Sequence, residues 1–129
     1  MKTVKIPFHD LSRQNEELKD EMDMAIKSVI KQNAFSGGEF VTNFEKKFAD
    51  YCNTSFSVGL NSGTSSLHMA MKVLDIGPGD EVIVPANSFI ATAWGVSHAG
   101  GTPVFADCDQ KTWQIDPHDI QKRITKKQE

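Results

Sequence analysis

The stretch Gly77-Pro78-Gly79-Asp80-Glu81-Val82-Ile83-Val84-Pro85 carries the pattern that decides the fold class. Glycine and proline at 77–79 stop a preceding helix and mark a turn. The residues at 82–84 are apolar at consecutive positions, which is typical of a short strand buried on both faces of a sheet. The stretch therefore predicts a tight turn followed by a strand at 81–85 in the interior of an α/β domain.

Helical and strand patterns alternate on both sides of this strand. Such alternation predicts an α/β domain with a mostly parallel sheet and helices on both faces. Turn residues separate the segments, as expected for short connections. The predicted elements are a strand at 56–60, a helix with an apolar stripe at 67–74, the strand at 81–85, a helix at 89–98, a strand at 103–106 and a helix that begins at Asp116-Pro117.

Two amphipathic helices precede this alternating region. The first has an apolar stripe between residues 18 and 30, and the second repeats Phe40, Phe44, Phe48 and Cys52 at every fourth position. We therefore expect residues 1–54 to form amino-terminal helices that lead into a large domain, and 55–129 to form the first part of that domain. Three strands are few for a sheet covered on both faces, so the predicted domain is incomplete.

Composition excludes several classes of protein. Hydrophobic residues make up 39% of the 129 residues and charged residues 24%, as in an ordinary soluble domain. The net charge of -3 and the absence of a basic stripe argue against nucleic-acid binding. The apolar run at 82–86 is too short to span a membrane, and no apolar run follows residues 1–5. The sequence thus predicts a cytoplasmic protein, with Cys52 and Cys108 as buried thiols rather than a disulfide.

The turn at 61–66 is the first candidate site, because it joins a predicted strand to a predicted helix. Backbone N–H groups at a helix start attract phosphate, and Gly63 allows the backbone to approach a ligand closely. Ser62, Thr64 and Ser65 add hydroxyl donors. The alternative is that these residues only cap the helix, as Ser and Thr commonly do. The turn matches neither the P-loop nor the dinucleotide-binding motif.

The turn at 85–89 is the second candidate site, since ligands of open α/β sheets bind beyond the carboxyl ends of the strands. Phe89 lies there and could stack on a flat cofactor ring, although most phenylalanines belong to the core. Asp107 and Asp109 end the next strand and could pair as acid and base, but we interpret them as turn residues. The histidines show no metal-ligand spacing, and His68 is interpreted as a helix-face residue.

In their order and spacing, these segments resemble the DegT/StrS sugar aminotransferases, which have the aspartate-aminotransferase fold (fold type I). The resemblance runs from about residue 6 to about residue 125. The matching segments include Ser62-Gly63-Thr64 with Leu67-His68, the stretch at 77–85, Phe89-Ile90-Ala91-Thr92-Ala93, Pro103-Val104-Phe105 with Asp107, and Ile115-Asp116-Pro117.

The resemblance implies pyridoxal 5'-phosphate as the cofactor. It implies that Ser62, Gly63, Thr64 and Ser65 hold the cofactor phosphate, mainly through Thr64 and Ser65, and that Phe89 stacks on the pyridine ring. The family reaction moves an amino group from L-glutamate to a keto sugar carried on a nucleotide diphosphate. In the family, a lysine that binds the cofactor as a Schiff base and an aspartate that pairs with the pyridine nitrogen lie downstream, so both are expected beyond Glu129.

The resemblance leaves two alternatives open. Some relatives dehydrate sugars and have a histidine at the lysine position, which lies outside this sequence. A truncated product without catalysis is the other alternative, and the 129-residue chain alone is expected not to transaminate. Family members are homodimers, so a homodimer that binds a nucleotide sugar and glutamate is expected, with no nucleic-acid or membrane partner.

Overall fold

A computed structural model describes residues 6–125 of the chain. One observation from the sequence lies outside this range, namely the start at 1–5 without an apolar run behind it. The chain divides into two compact units, one ending at Gly59 and the other beginning at Leu60. The division expected from the sequence fell a few residues earlier, between 54 and 55.

The first unit contains two helices, α1 (Ser12–Lys31) and α2 (Glu39–Cys52). Gly37 and Gly38 separate them with φ angles of 62° and 76°, which glycine adopts at little cost. On α2 the rings of Phe44 and Phe48 stack with centroids 5.6 Å apart, as the four-residue repeat predicts. The helix ends at Asn53 in the left-handed conformation, a common helix terminus.

The second unit contains the α/β part of the chain. Its elements are α3 (Gly63–Val73), β1 (Glu81–Pro85), α4 (Ala91–Ala99), β2 (Thr102–Ala106) and α5 (Pro117–Arg123). The two strands pair in parallel, with Glu81 opposite Thr102 at one end and Pro85 opposite Ala106 at the other. The predicted α/β class with parallel pairing is therefore confirmed, and β1 has the bounds that the sequence predicts.

The core of the second unit is built around α4. Small side chains dominate it, and Val96 is the largest that is fully buried. Gly100 ends α4 at a φ of 102°, and a Cβ atom there would lie 3.2 Å from Cδ of Pro78. A side chain at position 100 would thus be strained and crowded, so this glycine allows the sharp turn from α4 into β2. The buried apolar residues of this unit are Val84, Ala91, Ala93, Val96, Ala99 and Ala106.

The predicted strand at 56–60 is wrong, because the structure has no strand there. Phe56 and Val58 are 87% and 74% exposed, so alternation of apolar residues is not accompanied by burial of one face. A strand needs a neighbour to satisfy its backbone groups, and within residues 6–125 the sheet consists of β1 and β2. The backbone N–H of Gly59 donates instead to a side-chain oxygen of Glu45, at 2.8 Å.

The two cysteines also differ from expectation. Both are free, as predicted, but Cys52 is exposed and Cys108 is half-buried, so neither is a buried core thiol. Cys52 is the last residue of α2, where the helix surface is open.

Candidate functional site

The first candidate turn opens α3, and Ser62 is its N-cap residue. Ser62 is extended, with φ -164° and ψ 158°, and its Oγ accepts a hydrogen bond from the backbone N–H of Ser65 at 3.1 Å. The carbonyl of Ser62 accepts the backbone N–H of Ser66 at 3.0 Å. Ser62 therefore acts as a helix cap, as the alternative interpretation of this turn proposed.

The Ser62 cap provides an acceptor for the backbone N–H of Ser65, but not for the N–H groups of the first two residues of α3. The backbone N–H groups of Gly63 and Thr64 have no hydrogen-bond acceptor among residues 6–125. A Cβ atom built on Gly63 would meet nothing within 4 Å, so the approach to this helix start is unobstructed. Two free N–H groups and the positive end of the helix dipole can together bind an anion.

Phe89 lies just before α4 and is 73% exposed, so it is not part of the core. Its backbone is nevertheless fixed to the helix, because its carbonyl accepts the N–H of Thr92 at 3.0 Å. The hydroxyls of Ser88 and Thr92 are hydrogen-bonded at 2.7 Å across the same turn. An exposed aromatic ring on a well-fixed backbone can stack on a planar ligand.

The packing of α3 on α4 brings the two turns to the same end of the helix pair. Leu67 contacts Gly95 near the start of each helix, and Lys72 contacts Ala99 near the end of each. Because both contacts occur in the same order along the two helices, the helices run in the same direction. Each helix begins four residues before the Leu67–Gly95 contact, about 6 Å along its axis.

Other polar residues noted in the sequence do not join this site. The Asp109 carboxylate accepts two backbone N–H groups and the hydroxyl of Thr112, which confirms its interpretation as a turn residue. His68 is half-buried and its ring lies against that of His98, with centroids 5.7 Å apart. Its Nε2 atom is buried without a partner in the described part of the chain.

Neither a metal centre nor a membrane span is found in the part of the chain that the structure describes. No group of three or more His, Cys, Asp or Glu side chains there is arranged to hold a metal ion. None of the helices between residues 6 and 125 has the length and apolar character needed to cross a bilayer.

The sequence alone does not single out Lys72 and Gly95, which join α3 to α4. Lys72 Nζ donates to the carbonyl of Ala99 at 3.0 Å, between residues 27 positions apart. An isolated glycine inside a helical pattern is a signal for close packing, and Gly95 carried that signal. Nothing in the local pattern around Lys72 distinguishes it from a surface lysine.

Comparison with known proteins identifies the family. The DegT/DnrJ/EryC1/StrS aminotransferase family matches residues 16–129, and the chain belongs to this family. It is similar to dTDP-3-amino-3,4,6-trideoxy-alpha-D-glucose transaminase of Streptomyces venezuelae, with 42% identity over 95% of this chain and 32% of that protein. The resemblance seen in the sequence is thus confirmed.

Solved structures agree on the fold. The structure of S. venezuelae DesV in complex with a ketimine intermediate superimposes with a TM-score of 0.91 at 41% identity, over 98% of this chain and 34% of that one. NtdA of Bacillus subtilis with bound cofactor PMP superimposes with a TM-score of 0.87 at 33% identity, over 100% and 30% respectively. The chain spans about a third of the length of these relatives.

Proposed function

We propose that this chain provides the phosphate- and ring-binding part of a pyridoxal-phosphate-dependent aminotransferase. The enzyme would transfer an amino group from L-glutamate to a keto sugar carried on a nucleotide diphosphate. One observation carries the proposal: the free N–H groups of Gly63 and Thr64 and the exposed ring of Phe89 lie at the same end of the α3–α4 pair.

The residues present fit this cofactor at both of its ends. A phosphate dianion matches the two free N–H donors and the helix dipole, and Thr64 adds a hydroxyl beside them. A planar pyridine ring matches the open face of Phe89. When bound, the cofactor supplies an electron sink for bond breaking next to the amine. The protein residues named here bind and orient it, and Ser62 keeps the helix start in the required conformation.

The substrates and partners rest on the relatives. The S. venezuelae relative is named for a dTDP amino sugar, which supports a nucleotide-sugar substrate. NtdA is described with PMP, the amine form of the same cofactor, which supports a reaction cycle in which glutamate loads the amine. We include in the proposal that the protein is a cytoplasmic homodimer that binds neither nucleic acid nor membrane.

The test uses the protein expressed from the longest reading frame that contains this chain. It would be supplied with pyridoxal phosphate, ¹⁵N-labelled glutamate and dTDP-linked keto sugars, and the products would be analysed by mass spectrometry. We expect ¹⁵N in the sugar only when cofactor and glutamate are both present. Loss of water from the sugar without ¹⁵N incorporation would identify a dehydratase instead. Failure of the protein to bind pyridoxal phosphate would overturn the proposal.

A further inference from the structure

The two halves of the candidate site are held on different helices. The donors of Gly63 and Thr64 belong to the first turn of α3, while Phe89 is hydrogen-bonded to the first turn of α4 through Thr92. Within each half, the geometry is set by local hydrogen bonds. The separation between the halves is set by the packing of α3 against α4, because the intervening chain runs through β1 and two turns.

That packing is unusually close at one point. A Cβ atom built on Gly95 would lie 2.9 Å from Cβ of Leu67 and 3.2 Å from its carbonyl carbon. Neither atom is the movable end of a flexible side chain, so a side chain at position 95 would displace one helix relative to the other. Gly95 lies four residues from both Ala91 and Ala99, and all three are buried on one face of α4.

A second contact fixes the far end of the pair. Lys72, in the last turn of α3, donates from Nζ to the Ala99 carbonyl at the end of α4, and the bond is partly buried. A cation at a helix carboxyl terminus is favoured by the helix dipole. This bond resists sliding of α3 along α4, whereas Gly95 allows the two helices to pack closely at its contact with Leu67.

We propose that Lys72 and Gly95 are positioning residues for the cofactor. They fix the offset between α3 and α4, and thereby the distance from the phosphate donors at residues 63 and 64 to the ring of Phe89. This inference rests on the proposed function. It predicts a specific defect. A shifted helix pair still binds a free phosphate ion, but it cannot contact the phosphate and the ring of the cofactor at the same time.

The experiment measures two affinities on the cofactor-free protein from the longest reading frame that contains this chain. Pyridoxal phosphate is titrated by absorbance and induced circular dichroism, and inorganic phosphate by its competition with cofactor loading. The variants are Lys72→Met, which keeps the aliphatic stem, and Gly95→Ala. Lys72→Arg tests rescue, since it retains a donor. Lys47→Met on the exposed face of α2 and Ser97→Ala on the exposed face of α4 are the controls.

In Lys72→Met, we expect affinity for pyridoxal phosphate to fall about three- to tenfold, the scale of one hydrogen bond. In Gly95→Ala, the added side chain should lower this affinity by displacing one helix, and in both variants affinity for inorganic phosphate should stay unchanged. Lys72→Arg and the two controls should resemble the wild type. If Gly95→Ala does not fold, the comparison of Lys72→Met with Lys72→Arg still tests the proposal. Equal losses for both ligands, or no loss for either, would overturn the positioning role alone. A wild-type protein that binds neither ligand would overturn the proposed function, and the positioning role with it.

Discussion

The side-chain oxygen of Ser62 accepts the backbone N–H of Ser65 at 3.1 Å, and this bond determines which donors at the start of α3 remain available. Because Ser65 is satisfied within the protein, the open donors are one and two residues earlier, at Gly63 and Thr64. The family resemblance implies that Thr64 and Ser65 hold the phosphate. For the backbone donors, we instead expect the N–H groups of Gly63 and Thr64 to contact it.

The backbone donor of Gly63 can be removed without breaking the helix. Position 63 is the first residue of α3, where proline is well tolerated, and Ser62 before it is already extended. We expect Gly63→Pro to weaken pyridoxal phosphate binding about ten- to hundredfold, the scale of one charge-assisted hydrogen bond. Gly63→Ala keeps the N–H and should lose less affinity. Equal affinities of the two variants, measured by equilibrium titration, would show that this N–H does not contact the phosphate.

Ser62 allows helix stability and anion binding to be separated. Aspartate and asparagine both cap helices well, so Ser62→Asp and Ser62→Asn should each keep the thermal stability of the protein. Ser62→Asp also places a negative charge beside the proposed phosphate site. Its cofactor affinity should fall by at least about tenfold at low ionic strength, and added salt should reduce the difference. Similar cofactor affinities in both variants would argue against an anion site at this turn.

The hydroxyl of Thr64 should contribute less than the backbone donors. We expect Thr64→Ala to weaken cofactor binding about threefold to tenfold, as for the loss of one ordinary hydrogen bond. The affinity for inorganic phosphate should fall by a similar factor in this variant, as measured by titration. Unchanged phosphate affinity would assign Thr64 to the helix alone. Ser66→Ala, which alters a hydroxyl bonded to the Ser62 carbonyl, serves as the comparison.

Phe89 should affect the ring rather than the phosphate. Phe89→Ala should weaken cofactor binding about two- to tenfold, by analogy with the energy of aromatic pairs. Phe89→Tyr should behave like the wild type. Because the side chain is 73% exposed, unfolding temperature should change little in either variant. The affinity for inorganic phosphate should be the same in Phe89→Ala as in the wild type. Wild-type cofactor affinity in Phe89→Ala would show that the ring does not stack on the cofactor.

Acid should destabilise the second unit through Asp119. Its carboxylate accepts the backbone N–H of Asp107 and pairs with Arg123, and these contacts lower the pKa of Asp119 below its ordinary value of 3.8. A carboxyl group with a lowered folded-state pKa stabilises the protein above the ordinary value, and this stability is lost as the pH falls through the folded-state pKa. Asp119→Asn should therefore unfold at a lower temperature than the wild type at neutral pH. Its unfolding temperature should also fall less steeply as the pH is lowered.

Thermal unfolding followed between about pH 2 and pH 7 would check this dependence. Asp20→Asn is the matched control, because the Asp20 side chain is exposed on α1 and has no hydrogen-bond partner among residues 6–125. Parallel acid profiles for Asp119→Asn and wild type would show that this carboxylate does not contribute to the pH dependence.

Local patterns in the sequence were sufficient for most of the fold. The consecutive apolar residues of β1, the aromatic repeat of α2 and the cap at Asp116 each depend on neighbours within a few positions. The same patterns failed at 56–60, where alternation was present but no partner strand lies beside it in the described structure. Pairing is a property of two segments, so one segment alone could not predict it.

The sequence by itself determined the α/β class, the family resemblance and the two turns that form the candidate site. Only the tertiary structure decided which N–H groups stay open, that Phe89 faces solvent, and that the two turns share one end of a helix pair. These properties depend on contacts such as those of Leu67 with Gly95 and of Lys72 with Ala99. Residues nearly thirty positions apart meet there because α3 packs closely against α4, and no local pattern records that distance.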